Sequence, residues 1–164
     1  MRHNESVGNP EIGTPQAGDR RYDRRASRLT PESLMVEHPN SLLVHQSLQA
    51  IRVGDTETLR ALWAEDIVWR VMGASPWHGD IEGIDAIFEY LAEVGDLDSS
   101  FDTSVHDVMV SNERAAILCH IKAELDGRTL DAEYLLLCRI AHRRIQEVVS
   151  LPLQPERVEE FWRR

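Results

Sequence analysis

The sequence predicts an α+β fold, in which a cone-shaped, curved antiparallel sheet wraps around N-terminal helices. Apolar residues recur at helical spacing between positions 42 and 91, whereas they alternate with polar residues between positions 115 and 151. The two clearest alternating stretches are joined by Asp126-Gly127, a typical hairpin turn. Such a cone is expected to enclose a cavity between the sheet and the helices, a usual place for a small ligand.

Length and composition favour one soluble domain without nucleic-acid or membrane partners. The 164 residues are 42% apolar and 28% charged, which suits a single domain with a proper core. The net charge of -10 opposes general binding to a phosphate backbone. No apolar run approaches the length of a membrane span, and the N-terminus has no apolar signal core. We therefore expect a cytoplasmic protein.

The first 30 residues differ from the rest of the chain. They hold six Arg and four acidic residues among scattered Gly and Pro, and their apolar residues show no period. We predict a disordered tail at 1–30 and a folded domain at 31–164. The Arg-rich run at 20–25 is interpreted as part of a solvated tail rather than as a site for an acidic partner.

The predicted helices lie in the N-terminal part of the domain. Thr30-Pro31 favours a short helical turn at 31–37, and Asn40 or Ser41 is expected to cap the main helix, which Gly54 ends. A shorter helix, which includes Trp63, follows and ends at 64–66. After a loop at 73–83, a third helix runs until Gly95.

Strands are predicted at 67–71, 101–110, 115–125, 130–140 and 145–151. Residues two apart share one face of a strand, so each strand has an inner and an outer face. We expect Asp131 and Glu133 on the outer face, together with His106 and His120, unless a bulge reverses the parity.

The ordered motifs resemble those of a known family. They are Gly54-Asp55, Trp63-Ala64-Glu65-Asp66, the Gly73-to-Gly79 loop with Ser75-Pro76 and His78, and Gly83-x-Asp85-Ala86-Ile87. This order is similar to the SnoaL-like branch of the nuclear transport factor 2-like superfamily, which includes ketosteroid isomerases, polyketide cyclases and limonene epoxide hydrolases. The resemblance covers about residues 40–162. It implies a cone-shaped α+β barrel, usually a homodimer built through the sheet, but it does not fix the function.

The catalytic positions that the resemblance implies are vacant in this chain. A ketosteroid isomerase would need a carboxylate at the end of the first strand, where Arg70-Val71-Met72 stand. Its oxyanion Tyr falls near Ser47 and its oxyanion acid near Leu136. The Asp-Arg-Asp set of the epoxide hydrolases has no match in the last strand either. Cyclases of this branch place an acid/base Asp in the late strands, where only the outward-facing Asp131 and Glu133 are near.

Candidate site residues therefore come from the predicted inner face. Tyr134 and His45 are the candidate catalytic residues, although a core Tyr and a surface His are the simpler interpretations. The candidate substrate-binding residues are Trp69, Val71, Ser47, Trp63, Cys119, Ile121, Leu136, Cys138 and Ser150. Cys119 and Cys138 are expected to be neighbours on adjacent strands and chemically inert, because no positive group shares their face.

No metal or cofactor is expected. The sequence shows no His/carboxylate cluster at metal-ligand spacing, no Gly-rich phosphate loop and no nucleophile elbow. The predicted function is that of a SnoaL-like small-molecule enzyme, which acts on an apolar polycyclic or polyketide-like compound by proton transfer or by cyclisation/isomerisation. The alternative is a non-catalytic ligand-binding or dimeric assembly module of the same fold.

Overall fold

Six strands form one curved, unclosed sheet, and helices pack on it. The computed structural model describes residues 38–96 and 101–163, all within the compact unit Glu37–Arg164. The elements are α1 (Pro39–Val53), α2 (Thr56–Leu62), β1 (Trp63–Val71), β2 (Gly79–Glu82), α3 (Ile84–Asp96), β3 (Asp102–Val110), β4 (Arg114–Leu125), β5 (Arg128–Ala141), β6 (Arg144–Pro152) and α4 (Pro155–Trp162). The predicted tail at 1–30 and the predicted turn at 31–37 lie outside the described residues.

The strand order in the sheet is β2-β1-β6-β5-β4-β3. Three consecutive hairpins join β3 to β6, as the alternating pattern predicts, and these pairs are antiparallel. The pair β1–β6 is parallel, so the predicted antiparallel sheet is mixed at this one place. After β2 and α3 the chain returns through the meander, and its last strand runs alongside β1 in the same direction.

Three predicted boundaries were wrong. Strand β1 begins at Trp63, which was expected in the preceding helix, and a register shift between Trp63 and Val68 marks the irregular start. The expected loop at 73–83 contains β2, which is too short and polar to show a period. Gly95 lies inside α3 and does not end it.

Helix α1 is held in place by polar contacts at its N-terminus and ends at a glycine. His38 is the N-cap, in place of the expected Asn40 or Ser41: its Nδ1 accepts the Asn40 backbone N–H at 3.1 Å. The Asn40 amide instead donates to the carbonyls of Ser111 (2.7 Å) and Asn112 (3.0 Å), in the turn between β3 and β4. Gly54 ends the helix with φ of 70°, as its sequence position predicts.

The register places inner-face residues in rows across the strands. One row joins Trp69, Val148, Cys138 and Ala115, and the next joins Val71, Ser150, Leu136 and Ile117. A third row joins Pro152, Tyr134, Cys119 and Val105. Two apolar clusters result. The larger packs the first two rows against α1, α2 and α3, and the smaller packs the third row against α4. Leu136 touches both clusters.

Candidate functional site

A chain of aromatic rings runs through the interior. The Trp63 ring lies 6.0 Å from Trp69, and Trp69 lies 5.9 Å from Tyr90, edge to face. Tyr90 contacts Trp77 at 5.6 Å, and Trp77 contacts Trp162 of α4 at 5.4 Å. These centroid distances are those of favourable aromatic pairs. The rings therefore link the deep core at β1 to the loop after β1 and to α4.

Only one of the two inner tryptophans of β1 has its indole N–H satisfied. Trp63 Nε1 donates to Ser47 Oγ at 3.1 Å, and both side chains are buried, so α1 is tied to the start of β1. Trp69 Nε1 is buried and has no hydrogen-bond partner among residues 38–96 and 101–163. A buried N–H without a partner costs free energy, and it offers a donor to whatever acceptor reaches it.

Tyr90 lies beside this donor, and Tyr134 interacts electrostatically with Tyr90. Burial raises the pKa of Tyr90 to about 12, and it likewise raises the pKa of Tyr134 to about 12, with smaller contributions from the nearby Tyr90 and Cys119. Neither hydroxyl forms a hydrogen bond within the part of the chain that the structure describes. Both phenols therefore remain protonated at neutral pH, and both hydroxyls are available as donors.

The other predicted inner residues also lie on this face. Val71, Ser150 and Leu136 are directly paired across β1, β6 and β5, and Ile121 packs on the α4 cluster. Cys119 and Cys138 are not neighbours, which corrects the expectation. Cys119 lies opposite Tyr134 and Cys138 lies opposite Ala115, so each belongs to a different cluster. Burial raises the pKa of Cys119 to about 11 and that of Cys138 to about 12, so both stay as thiols.

His45 does not join the interior, in agreement with the simpler interpretation of a surface His and not with a position at the cavity. Its side chain is exposed, and its Nδ1 lies 2.8 Å from the Ser41 carbonyl one turn earlier on α1. It lines a surface groove of about 530 Å³ between α1 and α2, away from Tyr134. Helical periodicity explains the error, because position 45 follows the buried Leu43 and Val44 and turns to the opposite side of the helix.

The described interior contains no buried carboxylate, imidazole or basic group. Its buried polar residues are Asn40, Ser47 and Ser150. Asp131 and Glu133 lie on the outer face, as strand parity predicts. The interior thus offers hydrogen-bond donors among apolar side chains, whereas no buried group in the described residues is an evident general base.

Sequence reasoning missed two features. Tyr90 was overlooked, although it follows the buried Ile87 by three positions on α3, a spacing that places it beside the apolar face. The second feature is a group of His106, His120 and Glu133 on the outer face, with ligand atoms within 4.8 Å of one another. The sequence shows no His/carboxylate cluster at metal-ligand spacing, and this group lies outside what such spacing can reveal. The three residues are distant in sequence, and only the pairing of β3, β4 and β5 brings them together.

The fold defines the class of protein: it is an α+β cone, a fold that binds small ligands in this class. A family model for the SnoaL-like domain matches residues 44–148, and the chain belongs to this family. Among curated proteins, no sequence matches the chain. No helix in the described ranges has the length and apolar character needed to cross a membrane.

Solved structures share the fold. Bal32a, from a soil-derived mobile gene cassette, is 26% identical with a TM-score of 0.70, covering 76% of this chain and 97% of its own. A nuclear transport factor 2-like protein of Burkholderia xenovorans LB400 is 18% identical with a TM-score of 0.68, covering 76% and 96%. IdmH of Streptomyces antibioticus, provisionally assigned as a polyketide cyclase, is 20% identical with a TM-score of 0.58, covering 72% and 94%.

Proposed function

We propose that the protein binds an apolar polycyclic or polyketide-like compound inside the cone and promotes its cyclisation or isomerisation. The observation that carries this proposal is the indole N–H of Trp69, which is buried and has no hydrogen-bond partner among the described residues. Protein interiors rarely leave such a group unpaired, and functional sites are a common reason when they do. The hydroxyls of Tyr90 and Tyr134, which also form no hydrogen bond there, are further donors. A ligand carbonyl would satisfy them, while the aromatic rings would contact its apolar body.

The chemistry follows from the raised pKa values. A tyrosine with a pKa of about 12 donates a hydrogen bond at neutral pH and does not act as a base. Tyr134 would thus polarise a ligand carbonyl and stabilise negative charge as it develops on the oxygen. The walls would hold the reacting carbons in contact. In an intramolecular aldol-type closure a carbon–carbon bond forms as a C–H bond of the attacking carbon breaks. Solvent water takes the proton from that carbon, and the carbonyl oxygen gains one through Tyr134, so no other co-reactant is needed.

Ligand binding with matched tyrosine variants tests the proposal. Quenching of tryptophan fluorescence would be titrated with a panel of apolar phenolic ketones for the wild type, Tyr134→Phe, Tyr90→Phe and the control Tyr22→Phe. Tyr22→Phe is the same chemical change outside the described residues. Losing one donor is expected to raise Kd about 3- to 10-fold in Tyr134→Phe, corresponding to about 1 kcal/mol, and to leave Tyr22→Phe unchanged. Equal affinities for all four proteins would contradict the proposal.

The second candidate is a non-catalytic ligand-binding or assembly module. It is favoured by one observation, the absence of a buried acid or base among the described residues. Native mass spectrometry, after the protein has been incubated with a compound that it binds, distinguishes the binding module from the enzyme. A bound species that keeps its mass and its chromatographic retention on release supports a binding module. An isomer of equal mass with altered retention supports the enzyme.

We also propose a homodimer through the outer face of the sheet. Two rows of apolar residues lie side by side there: Met109, Ala116, Leu137 and Val149, and next to them Leu118, Leu135 and Leu151. Met109 is 51% exposed and Leu137 is 39% exposed. A continuous apolar surface of this kind is typical of an interface.

A cytoplasmic location is proposed too, since both cysteines are free thiols.

The dimer has its own test. Leu137→Arg would place a charge in the centre of the apolar rows and is expected to yield monomers by light scattering after size exclusion. Leu42→Arg is the matched control, because Leu42 is 52% exposed on α1, away from the sheet face. A monomeric wild type, or equal dissociation by both variants, would refute the interface.

A further inference from the structure

Two histidines and two carboxylates meet on the outer face of β3, β4 and β5. His120 Nδ1 lies 2.7 Å from Glu133 Oε1, and the same carboxylate oxygen lies 3.7 Å from His106 Nε2. On the other side of the ring, His120 Nε2 lies 3.2 Å from Asp131 Oδ1. The two imidazole rings are 6.0 Å apart and nearly perpendicular. Imidazole and carboxylate are ligands that divalent transition metals favour.

The backbone brings these groups together by a specific device. His120 and Glu133 are directly paired across β4 and β5, and Ser104 is paired with His120 on its other side. Between Val105 and Asp107 the register shifts, so His106 is the extra residue of a bulge in the edge strand β3. A bulge turns a side chain out of the regular alternation. Here it brings His106 over the ring of its neighbour, His120.

Two atoms of the cluster are buried without a hydrogen-bond partner among residues 38–96 and 101–163. They are His120 Nε2, whose approach to Asp131 lacks hydrogen-bond geometry, and Glu133 Oε2. The backbone of Glu133 is nevertheless firmly held: its N–H donates to Gln154 Oε1 and its carbonyl accepts the Leu153 N–H, both at 2.8 Å. A carboxylate in a fixed position with a free buried oxygen is suited to bind a cation.

We propose that His106, His120 and Glu133 form a binding site for a divalent transition-metal ion such as Zn²⁺. His106 Nε2, His120 Nδ1 and a Glu133 oxygen supply three ligand atoms, the two-histidine, one-carboxylate set common in such sites. A tetrahedral site with bonds of about 2.0–2.1 Å needs ligand atoms about 3.4 Å apart. The separations of 2.7 Å and 3.7 Å from Glu133 Oε1 bracket this value, and all three residues have ligand atoms within 4.8 Å of one another, so side-chain rotations would complete the site.

Asp131 has a supporting role in this site. With His120 bound to the metal through Nδ1, its Nε2–H would lie 3.2 Å from Asp131 Oδ1, and a rotation of the exposed Asp131 side chain would give this contact hydrogen-bond geometry, the arrangement that orients many metal-bound histidines. The carboxylates of Glu133 and Asp131 together balance the charge of a divalent ion. In the single chain the His106 side chain is 50% exposed, which leaves room for a fourth ligand from solvent or from a second copy.

Direct metal titration tests the proposal. The full chain, without an affinity tag and after removal of metal by a chelator, would be titrated with Zn²⁺ by calorimetry. Co²⁺ would then report the coordination geometry through its visible absorption. We expect one Zn²⁺ per chain, with Kd in the micromolar range or tighter and an intense, tetrahedral Co²⁺ spectrum. His106→Ala is expected to weaken binding at least tenfold.

The variants are chosen so that a loss of metal binding is not caused by unfolding. His106 is on an exposed edge strand, so His106→Ala leaves the core intact, and an unchanged thermal transition would verify this. Glu133→Gln is the second variant. His78→Ala and His45→Ala are matched controls at exposed sites elsewhere and are expected to bind within twofold of the wild type. Absence of saturable binding, or wild-type binding by both His106→Ala and Glu133→Gln, would mean that the cluster is only an imidazole–carboxylate network.

Discussion

The hydrogen bond between Ser47 and Trp63 offers a quantitative test of how α1 is joined to the sheet. Ser47 is 3% exposed and Trp63 is 1% exposed, so Ser47→Ala leaves the indole N–H without a protein acceptor or free access to water. An unsatisfied buried donor costs about 1–3 kcal/mol. Alanine returns up to about 0.5 kcal/mol through its higher helix propensity. The net loss in the free energy of unfolding is therefore about 0.5–2.5 kcal/mol.

Urea denaturation and thermal melting measure this loss. For a chain of this size the expected fall in Tm is roughly 1–10 °C. Ser104→Ala, on the exposed edge strand β3, is the matched control and should change the free energy of unfolding by no more than about 0.5 kcal/mol. In a double-mutant cycle with Trp63→Phe, the two substitutions should be less than additive by about 1 kcal/mol. Additive effects, or a Ser47→Ala protein as stable as Ser104→Ala, would refute this account of the junction.

Three further outcomes are expected. Gly73→Ala should lower the free energy of unfolding, measured in urea, by about 1–3 kcal/mol, because φ is +87° and the new Cβ would lie 2.9 Å from Pro152 Cγ. Gly95→Ala in α3 meets open space and should raise it by about 0.5 kcal/mol. Equal effects of the two substitutions would be inconsistent with these geometries. At pH 8 both cysteines should resist a thiol reagent in the native state and react after unfolding, and rapid native labelling would contradict their burial. Stability should fall as pH rises from about 9 towards 12, since the folded state holds the protons of Cys119 and Cys138 above the pH at which the unfolded state releases them; a urea midpoint that stays constant over this range would contradict the raised pKa values.

The fold was largely predictable because its strongest signals are periodic. Alternation in β4 and β5, with Asp126-Gly127 between them, predicted the central hairpin and the inner position of Tyr134. Gly54 and Asp55 marked the break between α1 and α2, where Asp55 accepts the Thr58 N–H at 3.0 Å. The start of β1 was not predictable in this way, because Trp63 fits a helix locally and only its burial against Ser47 places it in the strand.

The candidate site was predictable only where one strand determines it. Parity placed Trp69 and Tyr134 on the same inner face of the sheet, but it says nothing of α3, so Tyr90 was missed. The sequence left the position of His45 open between cavity and surface, because the position of a residue around a helix depends on which side packs. The cluster around His120 depends on a bulge at His106, and no regular pattern predicts a bulge. These features depend on packing between elements, which a single sequence does not display.

A crystal structure of the protein purified from its own cells, or soaked with the tightest compound of the binding panel, tests the central proposal most directly. The proposal predicts a small apolar molecule inside the cone, against Trp69, with an oxygen within hydrogen-bond distance of the Tyr134 hydroxyl. A compound bound only in the groove between α1 and α2, or an interior closed by its own side chains with Tyr134 bonded to the protein, would contradict it.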